Sequence, residues 1–423
     1  MKIDLNKLFL IFLPFTQALT INIFFPLKIS EIFLVILLLF YVNKKTISGR
    51  SIWFLNQNTI VMLFGFIVTL SFIVNIYWNY DYSPKRIPFR INRIGDSFIR
   101  LCYFYICLVS YYLSFKIFTK NIKYLDKWII GAIIVACYGW YLFLSSALHM
   151  PYLKLPGMDD KPQNLNGLIR CGTFAEGNYF GAFLILSAAI AFYLNKPKKA
   201  WFLLVTVIIT LSTVSLISSF VLIVFYYRKI FLKTSFMIKF CPIIFIFLLL
   251  FIQTDYYKMN IYGKLFDPVN KVTRANYSKV ERTITAQAAF YSGLDNPIIG
   301  VGPANYGLHY DKYNEYKRIV KVRSPYFNHA MKRVNDRAIA NNVYLEIWSE
   351  YGIFGFILFI LFLGLTLLKS IKLKEDAITG GIISLIISFN AFPSFIMLFV
   401  WVFLSIPLAL VWNKRQSIIN PAN

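Results

Sequence analysis

The stretch "NNVYLEIWSEYGIFGFILFILFLGLTLL", residues 341–368, begins with two amides and continues as an almost unbroken apolar run. A helix needs roughly 20 mostly apolar residues to cross a hydrocarbon core about 30 Å thick. This stretch is therefore long enough to cross a membrane, and its polar beginning would lie near one membrane surface.

The composition extends that interpretation to the whole chain. Of 423 residues, 58% are apolar and 15% are charged, which is too few charges for the surface of a soluble protein. A backbone within a bilayer must satisfy its hydrogen bonds internally, so repeated apolar runs predict an all-α polytopic bundle. We predict a single integral membrane domain, residues 1–423, with about twelve spans: 6–25, 29–43, 57–78, 97–118, 128–148, 174–194, 200–214, 216–232, 236–254, 342–368, 376–392 and 393–412.

Lysine and arginine in the short loops predict the orientation, because such loops stay on the cytoplasmic side during insertion. With a cytoplasmic N-terminus, one side receives basic clusters at 44–50, 116–127, 196–199, 228–233 and 369–374, and the C-terminus with Lys414 and Arg415. Both termini are therefore expected in the cytoplasm. No small-residue cleavage site follows the first apolar segment, so we expect it to be retained as a span.

Three longer segments, 79–96, 149–173 and 255–341, are expected on the outer side. The last carries fourteen Lys or Arg against seven Asp or Glu. Long loops cross the membrane largely regardless of charge, so a basic outer loop is allowed. Its charge predicts an anionic neighbour, for which lipid headgroups are the simplest candidate.

Several classes of function lack their motifs. The five cysteines show no paired spacing, and the three histidines are far apart, so neither a protein-bound metal nor a cofactor is expected. The chain has no GxxxxGK[ST] motif, which disfavours an ATP-driven pump. Nucleic acid is not an expected partner despite the net charge of +25, because the cytoplasmic positive charge is scattered over short loops.

One spacing occurs in both of the last two outer segments. "RCGTFAEGNYFG", residues 170–181, places ten residues between Arg170 and Gly181, and ten residues also separate Arg282 from Gly293. The second pair continues into "GLDNPIIGVGPANYG", residues 293–307. A charged residue at a membrane span is costly unless it pairs, faces water or acts, so the first motif is a candidate functional site.

With the 341–355 stretch, these motifs resemble the bacterial O-antigen polymerase and O-antigen ligase superfamily. The resemblance implies glycosyl transfer at the periplasmic face of the cytoplasmic (inner) membrane. The growing glycan would move from undecaprenyl diphosphate to a sugar hydroxyl of the next lipid-linked repeat unit. Implied partners are these lipid-linked oligosaccharides, membrane lipid, a flippase and a chain-length regulator. Paired Arg-x10-Gly motifs are associated with the polymerase branch.

One departure separates the two branches. The ligases carry a histidine before an Asn, Ser or Gln, then nine residues and Gly-x-x-Gly; this chain has Asn341 in the histidine position, followed by Asn342, Gly352 and Gly355. An amide cannot act as a general base, so ligase activity is disfavoured. The other histidines, His309 and His329, are the alternatives for that role.

In this interpretation the leaving diphosphate gains negative charge, which a guanidinium can offset through bidentate hydrogen bonds. We assign that role to Arg170 and Arg282 in a metal-independent reaction. Weaker candidates for substrate binding are Arg274, Lys279 and Arg323.

The acceptor hydroxyl must lose a proton, so a carboxylate or neutral imidazole is expected nearby. Glu176 is the first candidate, because it begins an apolar span close to Arg170 in sequence. Glu346 is second, and Asp336 and His329 follow. Asn178, Asn341 and Asn342 are expected to position sugar hydroxyls.

Structural alternatives exist for these residues. Arg170 and Glu176 could form an ion pair that caps the span, Arg282 could be a solvated loop charge, and Gly352 with Gly355 could permit close helix packing. For the chain as a whole, a repeat-unit polymerase ranks first and a ligase or other lipid-linked glycan transferase second. A polysaccharide or lipid-linked oligosaccharide transporter is third, and it would move substrate without forming a glycosidic bond.

Overall fold

The structure is a computed structural model, and it describes residues 4–22, 26–43, 56–77, 92–158, 162–165, 167–233, 246, 249–258, 262–268, 272–273, 276–313 and 338–419. Helices dominate these residues, and the only strands among them form two short antiparallel hairpins. The predicted all-α membrane class is confirmed. The hairpins are β1 (Thr20–Asn22) with β2 (Pro26–Lys28), and β3 (Asn164–Leu165) with β4 (Leu168–Ile169).

The helices of the first half are α1 (Leu5–Phe12), α2 (Ile29–Asn43), α3 (Asn56–Tyr77), α4 (Arg93–Lys120), α5 (Leu125–Ala147), α6 (Gly177–Tyr193), α7 (Pro197–Val207), α8 (Thr213–Tyr226) and α9 (Arg228–Phe231). Those of the second half are α10 (Asp255–Tyr257), α11 (Gly263–Phe266), α12 (Tyr277–Asp295), α13 (Tyr306–Tyr313), α14 (Val343–Leu373), α15 (Asp376–Ser388), α16 (Leu398–Leu404) and α17 (Ile406–Ile419).

Several of these helices can cross a membrane. Five of the described helical stretches are long and apolar enough, namely Gln57–Tyr77, Arg93–Lys120, Ile122–Ala147, Val343–Leu373 and Leu398–Ile418. Four shorter apolar stretches are Ile29–Tyr41, Gly177–Tyr193, Thr213–Tyr226 and Asp376–Ala391. The predicted ninth span, 236–254, lies mostly outside the described residues.

The predicted first span, 6–25, differs from the structure. Among the described residues of this span, only those of Leu5–Phe12 are helical. Pro14 has no N–H to continue a helix, and its carbonyl accepts a hydrogen bond from Thr173 Oγ1 at 2.7 Å. The backbone N–H of Gln17 donates to the Thr173 carbonyl at 2.9 Å. The chain therefore turns here because a segment distant in sequence, at Thr173, provides hydrogen bonds to this turn.

Helix α6 lies at the centre of the bundle. Nearly all of its residues are buried, so its apolar sequence has no polar face. The rings of Trp128 and Phe183 stack at a centroid distance of 5.6 Å, and Trp128 Nε1 donates to Ser187 Oγ at 2.7 Å. This central helix carries the first motif at its N-terminal end.

The predicted outer segment 255–341 is partly helical in its described residues. Helices α12 and α13 share a small core of their own, which includes Val280, Ile284, Tyr306 and Tyr310. The Tyr306 hydroxyl donates to the Thr285 carbonyl at 2.5 Å. Arg282 and Gly293 both lie on α12, which is ordered by this core.

Helix α14 is interrupted at Gly352, whose φ of 64° and ψ of −164° are not helical. The 297–302 loop fills the interruption: the N–H groups of Val301 and Gly302 donate to the carbonyls of Ser349 and Glu350 at 2.9 and 3.0 Å, and the Ile353 N–H donates to Pro297 at 2.7 Å. Irregular backbone at membrane depth is tolerated when protein groups satisfy it in this way.

Gly352→Ala is expected to lower the free energy of unfolding by about 2–3 kcal/mol, because this backbone region is essentially confined to glycine. A Cβ would also lie 2.4 Å from the Ile298 carbonyl oxygen. Gly364→Ala is the matched control on the same helix, since a Cβ there meets no atom within 4 Å. Thermal unfolding in detergent measures both variants, and equal unfolding temperatures would contradict the structural role of Gly352.

Candidate functional site

Arg170 of the first motif donates hydrogen bonds to the backbone between α7 and α8. After α7 a short 3-10 turn, Ile208–Thr210, leads to Leu211 in the left-handed conformation, and α8 begins at Thr213. Arg170 Nη1 donates to the Thr210 carbonyl at 3.1 Å and reaches the Leu211 carbonyl at 3.5 Å. A cation at the carbonyl end of a helix is favourable. Arg170 therefore stabilises the interruption between α7 and α8.

Two glycines of this motif pack closely against the same backbone between α7 and α8. A Cβ at Gly177 would lie 2.8 Å from the Thr210 carbonyl oxygen, and one at Gly181 would lie 2.3 Å from Ser215 Oγ. Only a residue without a side chain permits these approaches. The Arg170-to-Gly181 spacing thus has a structural explanation, because both ends of the motif contact residues 210–215.

Glu176 lies between these contacts. It is the N-cap residue of α6, half-buried, and its carboxylate makes no capping bond to the first N–H groups of the helix. Burial raises the pKa of the adjacent Cys171 thiol, and the charges of Arg170 and Glu176 act on it in opposite directions. Both charges are therefore close to residue 171.

The second motif repeats the packing of the first. A Cβ at Gly293 would lie 2.1 Å from Trp348 Nε1, and that indole N–H donates to the Phe290 carbonyl at 3.0 Å. The glycine lets α12 pack closely against α14. Arg282 lies about three turns earlier on α12 and is half-buried.

Tyr179, in the first turn of α6, connects the two motifs with the beginning of α14. Its side chain lies within electrostatic range of Glu176, Arg282, Glu346 and Arg100. Glu176 is the N-cap residue of α6, and the other three charges lie on α12, α14 and α4. The structure thus brings Glu176, Arg282 and Glu346, which are far apart in sequence, to one region.

Arg100 and Glu346 form an ion pair inside the bundle. The carboxylate is buried, with 4% of its side chain exposed, whereas 27% of the Arg100 side chain is exposed. Arg100 Nη2 also donates to Ser394 Oγ at 2.6 Å, and the Phe395 N–H donates to Glu346 Oε2 at 3.3 Å. Glu350, one turn after Glu346, is buried and within electrostatic range of Arg100.

Arg100 and Glu350 were absent from the sequence-based candidates. One signal was available for Arg100, because it lies within the predicted 97–118 span, where an ionisable residue is costly and commonly functional. Its partner could not be read from the sequence, since 246 positions separate it from Glu346.

The remaining predicted residues have mixed placements. Asn342 caps α14, with its Oδ1 accepting from the N–H groups of Tyr344 and Leu345 at 3.0 and 3.2 Å. Asn341 is half-buried with φ of 52°, and Asn178 is buried in the first turn of α6.

Lys279 Nζ donates to the Asp267 carbonyl at 2.9 Å within the outer region. Arg274, Arg323, Asp336 and His329 lie outside the described residues. Among the residues that the structure describes, no cluster of three or more His, Cys, Asp or Glu side chains could hold a metal ion. A metal-independent reaction stays a prediction.

His309, on α13, is 5% exposed, and burial, Lys312 and Arg93 together lower its pKa from 6.5 to about 4. The folded protein therefore keeps this imidazole neutral in conditions where the unfolded chain takes up a proton. Stability is present above pH 6.5 and is lost as the pH falls from 6.5 toward 4.

Acidification from pH 7 to pH 5 is expected to reduce the free energy of unfolding by about 2 kcal/mol through His309 alone. In His309→Gln this part of the pH dependence should disappear. Unfolding temperatures at the two pH values test the expectation, which fails if the wild-type and variant proteins lose the same stability.

The fold defines a helical integral membrane protein. Its candidate site is the group of charged residues near Tyr179, where several apolar helices begin. Residues 199–360 match the family model described as O-Antigen ligase. The match runs from α7 to the middle of α14 and confirms the resemblance to the O-antigen polymerase and ligase superfamily. No curated protein matches the chain.

Proposed function

We propose that the chain is a repeat-unit polymerase, which transfers a growing glycan from undecaprenyl diphosphate to a hydroxyl of the next lipid-linked repeat unit. The family match indicates a glycosyltransferase-like enzyme acting on lipid-linked glycans. One observation carries the proposal: two arginines and two carboxylates, Arg282, Arg100, Glu176 and Glu346, all lie within electrostatic range of Tyr179.

The reaction needs both kinds of charge. The acceptor oxygen forms a bond to the anomeric carbon, and the bond from that carbon to the diphosphate oxygen breaks with its electron pair. Fixed guanidinium groups stabilise the negative charge on the departing diphosphate. We assign this role to Arg282 and Arg100, both of which are partly exposed. Arg170 is assigned to holding the α7–α8 interruption, and its role in diphosphate binding stays a prediction.

The hydroxyl proton passes to a carboxylate. Glu176 is the better candidate, because its carboxylate does not cap α6, whereas Glu346 is buried against Arg100 and the Phe395 N–H. Glu346 is then a positioning residue that fixes the Arg100 guanidinium. The buried Asn178, two residues after Glu176, remains a candidate for orienting the acceptor sugar.

Glu176→Gln is expected to slow chain extension by about 10²-fold, since a positioned general base typically contributes at least this much. The amide keeps the size of the side chain, so the amount and unfolding temperature of purified protein should not change. Initial rates over a range of pH measure the effect. A variant with the wild-type rate would move the proton-accepting role to another residue.

The ligase remains the second candidate because the matching family model carries that description. Asn341 argues against it, since an amide stands where the ligases have histidine. The active site is proposed to face the periplasm of a bacterial cell, because the basic short loops predict that the opposite side is cytoplasmic.

One experiment separates the candidates. Purified protein is incubated in detergent with its undecaprenyl-diphosphate repeat unit and EDTA, once without and once with lipid A-core, and products are resolved by length. A ladder of lipid-linked oligomers supports the metal-independent polymerase. Product that requires lipid A-core supports the ligase, and transport of unchanged substrate in vesicles supports the transporter.

A further inference from the structure

A cavity of about 710 Å³ lies at the opposite end of the bundle from the Arg100–Glu346 pair. It is formed where α6 and α8 end and α15 begins. Helix α6, 17 residues and roughly 25 Å long, has Tyr179 in its first turn and ends at this cavity. The volume falls within the range of about 300–1,000 Å³ that is typical of ligand sites.

The lining combines charges of both signs. Lys229, Lys374, Glu375 and Asp376 all border the cavity. Asp376 is paired with Arg228 at 2.5 Å. Two ammonium groups and the Glu375 carboxylate are then the charges that a ligand would meet.

Aromatic rings line the same cavity. The Phe192 and Tyr226 rings stack at a centroid distance of 4.0 Å, and Tyr227 packs edge-on against Tyr226 at 4.7 Å. Aromatic faces attract cations. Burial and the neighbouring Asp376 raise the pKa of Glu375, so a cationic ligand group beside this carboxylate would stabilise its charged form.

These features favour a ligand that carries one negatively charged group and one positively charged group. A phosphodiester can interact with Lys229 and Lys374, while an ammonium group on the same molecule can interact with Glu375 beside the partly exposed tyrosine rings. A purely anionic ligand would leave Glu375 facing a like charge. The cavity lies at the ends of apolar helices, where a diacyl chain can remain among the spans.

We propose that this cavity binds the headgroup of a zwitterionic phospholipid with a primary ammonium group, such as phosphatidylethanolamine. The lysine-rich loops predict that the lipid comes from the cytoplasmic leaflet. The site is independent of the proposed glycosyl transfer, because none of the four charges around Tyr179 lines it.

The test is lipid retention by the full-length protein, measured by native mass spectrometry after exchange into detergent with defined lipids. Phosphatidylethanolamine should be retained at least about tenfold over phosphatidylglycerol, which lacks the ammonium, and over phosphatidylcholine, whose ammonium cannot donate hydrogen bonds. Soluble glycerophosphoethanolamine should not compete at the same concentration, because it lacks the acyl chains.

Variants locate the site. Lys229→Ser with Lys374→Ser should lose the retained lipid, and Glu375→Gln should keep lipid but lose the preference over phosphatidylglycerol. Lys198→Ser is the matched control, because Lys198 is exposed at the same end and does not line the cavity. If the double variant does not accumulate, Glu375→Gln alone decides the test.

Three results would overturn the proposal. Equal or stronger retention of phosphatidylglycerol would mean that a general positive surface binds the lipid. Retention unchanged in the double variant and in Glu375→Gln would place the lipid elsewhere. Full competition by glycerophosphoethanolamine would show that the acyl chains do not contribute to binding, so the site would not be specific for a lipid.

Discussion

Arg282→Ala is expected to eliminate long glycan chains and to slow the first transfer by about 10³-fold or more. The reason is that a guanidinium aimed at a departing phosphate stabilises charge that develops mainly in the transition state. Arg282→Lys should recover little activity, because an ammonium lacks the planar fork that binds two phosphate oxygens. The measurement is the length distribution and initial rate in the detergent assay with EDTA.

The control for Arg282 is a basic residue of the same 255–341 segment that is not among the charges near Tyr179. Lys312 lies on α13, is exposed, and pairs with Asp295 at 2.8 Å. Lys312→Ala should keep the wild-type rate and chain lengths. If Arg282→Ala also does so while remaining folded, Arg282 is a solvated charge and the diphosphate assignment is wrong.

The fold class could be predicted from the sequence because it depends on local composition. A bilayer requires long apolar helices, so apolar runs such as 342–368 correspond to helices such as α14 without knowledge of their neighbours. The first span was wrong because the turn at Pro14 depends on Thr173, which is 159 positions away. Helix interruptions depend on hydrogen bonds to residues that are distant in sequence, and the spacing of apolar residues does not predict those contacts.

The two Arg-x10-Gly motifs illustrate what a spacing can and cannot show. Their position in outer segments predicted a site, and the structure brings Glu176 and Arg282 to the same tyrosine. The spacing suggested one role for each motif, whereas the glycines serve packing: Gly181 against Ser215 and Gly293 against Trp348. The same short motif therefore combines a structural contact with a candidate functional charge.

The Arg100–Glu346 pair gives the second large effect. Glu346→Leu is expected to lower the free energy of unfolding by about 3–5 kcal/mol, because it leaves a guanidinium among buried groups without its carboxylate. Asp126→Leu is the control, since 34% of the Lys196 side chain and 39% of the Asp126 side chain are exposed, and the loss of this pair should cost about 1 kcal/mol or less. Unfolding temperatures in detergent measure both variants.

The double variant Arg100→Met, Glu346→Leu separates stability from function. Replacing a buried ion pair with apolar residues of similar volume is often neutral or stabilising, so the double variant should recover most of the stability that Glu346→Leu loses. It should still extend chains about 10²-fold more slowly, because the guanidinium proposed to face the diphosphate is gone. A folded double variant with the wild-type rate would make the pair purely structural. In that case Arg282 would be the arginine near Tyr179 left to stabilise the leaving group, and Arg170 would be the next residue to test.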